Sequence, residues 1–179
     1  MSSLLALARG IDTLNEGVGR LVRWLVLAAV LVSAGNAAAR YGLDLSSNAW
    51  LEIQWYLFAA LFLLAAPYTL KHNGHVRIDV LYGRFPPRVQ AWIDLLGALL
   101  FVLPLCGLVV WLGWKGFLAS YSVNEVSPDA GGLARWPIKL AIPIGFGLLF
   151  LQGIAEAIKQ FAVLTGRLTP TTERAEETV

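Results

Sequence analysis

Residues 21–39, 51–70, 91–114 and 137–163 form four almost unbroken apolar runs. Each is long enough to cross a bilayer as a helix, which takes roughly 20 residues for a hydrocarbon core of about 30 Å. The second run contains "WYLFAALFLLAAPY", without the polar and apolar alternation of a membrane β-barrel strand, so helices are the spanning solution. Ahead of the first run the pattern changes. Leu4, Leu7, Ile11, Leu14, Val18 and Leu21 recur at steps of three and four, while Arg9, Asp12, Asn15, Glu16 and Arg20 occupy the other sides. Residues 1–20 therefore predict an amphipathic helix, lying in the headgroup layer or against a partner's helix and leading into the first span. Beyond the last run, "TPTTERAEETV" has no apolar spacing, and residues 164–179 read as a flexible cytoplasmic tail. The predicted fold class is an all-α integral membrane protein with four transmembrane helices, residues 21–163 forming the membrane domain, and an N-terminal amphipathic interfacial helix.

Composition agrees. Hydrophobic residues make up 57% of the chain and charged ones 15%, against about 25% charged in a soluble domain. The formal charge of +2 is too small to point to nucleic acid. Basic residues instead follow the loops: Arg9, Arg20 and Arg23 precede or open the first span, and Arg40 alone lies in the first connection. Lys71, Arg77, Arg84 and Arg88 lie in the second connection, and Lys115, Arg135 and Lys139 around the third. Basic loops tend to stay on the cytoplasmic side, which places both termini in the cytoplasm and makes residues 71–90 a cytoplasmic loop. Arginines before an apolar stretch and the small residues of "NAAAR" also fit a secretory leader, whose removal would leave three spans. The long, amphipathic basic region favours four.

Candidate chemistry is sparse. The single cysteine, Cys106, excludes an internal disulfide and reads as a small packing residue in its apolar run. His72 and His75 are three apart, but zinc would need a third ligand and the only nearby carboxylate is Asp79, so the pair reads as a structural or partner-contacting loop. No histidine falls at membrane depth, which argues against axial haem ligation. Glu52, near the start of the second span, and Asp94, in the first turns of the third, both lie shallow enough to reach water; each reads as a solvated helix end or as half of a salt bridge to another chain. Ser47 or Asn48 is placed to cap the second helix. Ser33, Asn36 and Gln152 suit hydrogen bonds between helices. No run of carboxylates, arginine ladder or pair of broken helices marks a proton path, voltage sensor or midplane binding site. The tryptophans fall mostly near span ends, and Pro104 and Pro143 allow bends. Read from its residues, the chain is a membrane scaffold and not an enzyme.

Three stretches carry a resemblance. "WLEIQWYLFAALFLLAAPYTLKHNGHVRIDVLY", "RVQAWIDLLGALLF" and "SYSVNEVSPDAGGLARWPIKLAIPIGFGLLFLQGIAEAIK" follow one another in the order found in the small permease subunit of the tripartite ATP-independent periplasmic (TRAP) transporters, which this sequence resembles over residues 20–163. The most distinctive residues are Glu52; His75 and Asp79; and Trp136, Pro137, Pro143 and Gln152. The resemblance implies a four-span subunit of the bacterial inner membrane. It would scaffold and anchor a large multi-span permease that takes up an organic acid with sodium, the acid arriving on a periplasmic solute-binding protein. No cofactor is expected in this chain, and sodium is expected in the large partner. Glu52 and the segment from Ser122 to Pro137 would face the periplasm, where Asn124, Glu125, Asp129 and Trp136 are candidates to dock the binding protein. His75 and Asp79 would face the cytoplasm. A membrane anchor for a respiratory or redox complex, and an autonomous small-solute carrier, are the competing readings.

Overall fold

The computed structural model describes residues 2–45, 47–74 and 82–168. Within them are four helices long and apolar enough to span a membrane: α1 Ser2–Gly42, α2 Asn48–Lys71, α3 Pro87–Ser122 and α4 Trp136–Leu164. Among the described residues there is no strand, only one isolated antiparallel bridge between Val126 and Ala134. The amphipathic stretch and the first apolar run form one continuous helix of 41 residues.

Prolines set the starts of α3 and α4. Pro87 opens α3 after an extended Pro86, and Pro137 stands in the first turn of α4, where a missing N–H leaves no bond unmade. Inside α3, residues Ala98–Val102 widen into a π-turn just before Pro104. Pro104 cannot donate to the preceding turn, and an inserted residue is one way for a helix to absorb that loss.

The helix α4 is the hub, packing against α1, α2 and both halves of α3. Small residues let the backbones approach, as expected where apolar burial cannot drive association in lipid. At Gly145 a Cβ would stand 2.7 Å from the Leu63 carbonyl oxygen of α2, closer than real Cβ atoms come. Ala155 and Ala162 are fully buried on α4, and Cys106 of α3 is buried, as its place in the apolar run suggests. Elsewhere the outward faces carry exposed large apolar residues, among them Leu31, Phe58, Phe62 and Phe101.

The start of α1 also packs on the bundle. Its buried residues are Ala8, Ile11, Asn15 and Val22, so polar Asn15 points into the bundle while Leu4, Leu7, Leu14 and Leu21 face outward. Its other side meets this chain's own α2 and α4, and the outward leucines are left for the headgroup layer or a partner's helix. The inward side is mixed, with apolar Ala8 and Ile11 packed on Ala155 beside polar Asn15.

Candidate functional site

Polar residues gather at the two ends of the bundle. At one end, Glu52 in the second turn of α2 lies beneath the connection between α3 and α4. It is 3% exposed, in place of the solvated helix end that its sequence position suggests. The connection folds back on itself: Ser127 N–H donates to Leu133 O at 2.9 Å and Arg135 N–H to Glu125 O at 2.8 Å. Two donors of that hairpin then converge on the Glu52 carboxylate. The Leu133 N–H reaches Oε2 at 2.6 Å, and the Ser127 hydroxyl donates to Oε1. Arg135 donates to the Ser127 hydroxyl oxygen at 3.2 Å, stands 4.0 Å from Glu52 and lies over the Trp55 ring at 5.2 Å. Gly132 is required by this closeness, because a Cβ there would stand 2.4 Å from Ser127 Cβ and 2.9 Å from Glu52 Oε1.

Two further bonds tie the same hairpin to α2: Tyr56 hydroxyl to Ala134 O and Asn48 side-chain amide to Ala130 O, each 3.0 Å. Asn48 is thus spent on the loop. Ser47 occupies the N-cap without a side-chain cap bond, so the predicted cap is not made. The other sequence candidates here form the rim. Asn124, with φ of 47°, and Asp129 are exposed at the turns. Glu125 takes the Lys139 ammonium, and that hydrogen bond is the main cause holding its carboxyl below the ordinary range. Trp136 meets Tyr121 edge-on at 5.5 Å, beside Pro137.

At the other end α1, α2 and α4 enclose a second network, centred on Gln152, which is fully buried. Asn15 donates its amide to Gln152 Oε1 at 2.7 Å. The Gln152 amide donates to Asp12 Oδ1 and to Glu156 Oε1, both at 2.8 Å. Lys159 stands 2.7 Å from Glu156 and 3.7 Å from Asp12. One turn along α1, Glu16 receives Lys71 at 2.8 Å and His72 at 2.9 Å, and the His72 ring lies 4.3 Å from that of Tyr68. The carboxylates Asp12, Glu16 and Glu156 face the cations Lys71, Lys159 and Arg20, so charge is balanced locally. The Asn15 carbonyl oxygen is buried without a donor.

Helix geometry fixes the depth of this network. Lys71 and Lys159 are each 23 residues beyond the first residue of α2 and α4, about 34 Å at 1.5 Å per residue. That is just past a hydrocarbon core of about 30 Å measured from the other end.

Sequence reading singled out Gln152 but missed its partners Asp12, Asn15 and Glu156 and the neighbouring pairs of Glu16, Lys71 and Lys159. A signal for them exists: Gln152, Glu156 and Lys159 at i, i+4 and i+7 share one face of α4, and Asp12, Asn15 and Glu16 share one of α1. Asp94 accepts the Tyr82 hydroxyl at 2.5 Å and is half-buried, again less solvated than expected. Pro143 is buried on α4, close to Gly113 of α3. His75 and Asp79 lie outside the described residues. Among those described, no three His, Cys, Asp or Glu side chains converge as metal ligands.

Four long apolar helices, three of them packed on α4, with polar groups gathered at the ends, define a multi-pass α-helical membrane protein. The chain belongs to the DctQ component family of the tripartite ATP-independent periplasmic transporters, which it matches over residues 29–163. It is similar to the C4-dicarboxylate TRAP transporter small permease protein DctQ of Pseudomonas aeruginosa, with 32% identity over 99 residues. That similarity spans 54% of this chain and 46% of the relative. The family match includes Glu52, the hairpin and Gln152, but not Asp12, Asn15 or Glu16.

Proposed function

We propose that this subunit scaffolds a large multi-span permease of the bacterial inner membrane during sodium-coupled uptake of an organic acid, with a dicarboxylate as the first solute to test. One observation carries the reading: the buried Glu52 and Gln152 at the two ends are committed to partners within the chain, while the long outward faces of the helices are apolar. A bundle so arranged has its polar groups spent on rigidity and its surface suited to another membrane subunit or lipid. The movement of a solute site in the neighbour would then be referred to a stiff frame.

Both termini and the Gln152 network lie on the cytoplasmic side in this reading, and the Glu52 hairpin faces the periplasm. The basic residues of the second connection support that sidedness. The hairpin rim, with Asn124, Glu125, Asp129 and Trp136, is where the solute-loaded periplasmic binding protein docks. Coexpression with the neighbouring large permease should give a complex that copurifies. Reconstituted vesicles should take up dicarboxylate only with both membrane subunits, the binding protein and a sodium gradient. Uptake by this chain alone would refute the scaffold role. Charge reversal at Glu125 and Asp129 that left uptake unchanged would remove the docking assignment while leaving the scaffold intact.

A further inference from the structure

Where the first turns of α1 cross the end of α4, Leu5, Ala8, Arg9, Asp12, Lys159 and Leu168 line a cavity of about 100 Å³. Its walls are of two kinds. Leu5, Ala8 and Leu168 are apolar, whereas Arg9 and Lys159 bring cations from two different helices. Asp12 also faces it, but one of its oxygens takes the Gln152 amide and the other stands 3.7 Å from Lys159, beyond hydrogen-bond distance. Lys159 itself is tied to Glu156 and only 7% exposed at its side chain. Arg9 is exposed and adds positive charge on the open side.

Depth sharpens the assignment. Lys159 lies about 34 Å along α4, so a hydrocarbon core of about 30 Å that begins at the first turn of α4 would end just short of it, near the level of lipid phosphates. The outward leucines Leu4, Leu7 and Leu14 place the adjoining face of α1 in apolar surroundings. Basic pockets between helices at that depth suit acidic headgroups. We propose that this cavity binds the phosphate of an anionic phospholipid, with Arg9 and Lys159 as its cations and Leu5 and Leu168 against the start of the acyl chains.

Native mass spectrometry of the full chain in detergent, titrated with phosphatidylglycerol or phosphatidylcholine of the same acyl chains, tests this. Phosphatidylglycerol should bind more tightly, by roughly fivefold for each cation that engages the phosphate. Arg9→Gln, which spares the Gln152 network, should cut that preference about fivefold. Leu5→Trp keeps every charge but fills the cavity, and should also weaken phosphatidylglycerol binding. Equal affinity for the two lipids, or a preference untouched by both substitutions, would overturn the proposal. Inorganic phosphate that bound as tightly as phosphatidylglycerol and displaced it would assign the site to a soluble anion, and would overturn the lipid reading as well.

Discussion

Replacing Gln152 with leucine should detach the polar end of the bundle, and the structure allows the loss to be worked out. Leucine keeps much of the volume but neither accepts from Asn15 nor donates to Asp12 and Glu156. Asn15 is fully buried and its carbonyl oxygen already lacks a donor, so its amide would be stranded as well. A stranded buried group costs about 1–3 kcal/mol. Asp12 and Glu156 keep 17% and 14% of their side chains exposed, so water can take up part of their loss. Bonds between membrane helices average only about 0.6 kcal/mol because unfolded segments in lipid find other partners. Weighing these, Gln152→Leu should destabilise by about 2–3 kcal/mol, most of it from the stranded Asn15. Adding Asn15→Leu removes the stranded group, so the double variant should be more stable than Gln152→Leu by about 1–2 kcal/mol. Unfolding in detergent titrated with sodium dodecyl sulfate, followed for all four proteins of the cycle, measures the coupling. Additive losses would refute the reasoning, because they would mean that Asn15 and Gln152 are not each other's partners.

The other end offers sharper steric tests. Gly132→Ala puts a methyl 2.4 Å from Ser127 Cβ, so the hairpin must shift, and cleavage of residues 123–135 by added protease should accelerate while the helices stay intact. Gly145→Ala meets backbone, the Leu63 carbonyl at 2.7 Å, and overpacking of this kind should lower stability by about 1–3 kcal/mol in the same detergent titration. Because Lys139 depresses the Glu125 carboxyl, their bond contributes fully above the ordinary carboxylate range and fades as pH falls through the lower folded value. A fluorophore on Asn124→Cys, in a Cys106→Ser background, should therefore report a transition below the ordinary carboxylate range, and Glu125→Gln should abolish it.

Much of the architecture is legible along the chain because hydrocarbon is an undemanding solvent to read. It requires long apolar helices, so the four runs, the proline starts at Pro87 and Pro137, and the buried Cys106 follow from local composition. The order of Glu52, of His75 and Asp79, and of Trp136, Pro137, Pro143 and Gln152 along the chain points to the family. What local pattern could not supply was direction. The regular leucines of α1 do not reveal that Asn15 is buried, because Gln152, 137 positions away on α4, offers its hydrogen bond. Glu52 looks solvated at a helix start, yet an N–H and a hydroxyl more than 70 residues on close over it.

The four apolar helices and their small packing residues were thus determined by the sequence itself, since each depends on whether a short segment is stable in lipid. Which polar side chains end up buried together was decided only by the tertiary structure. A carboxylate or carboxamide can leave water when donors arrive from distant helices, and no single segment contains that information.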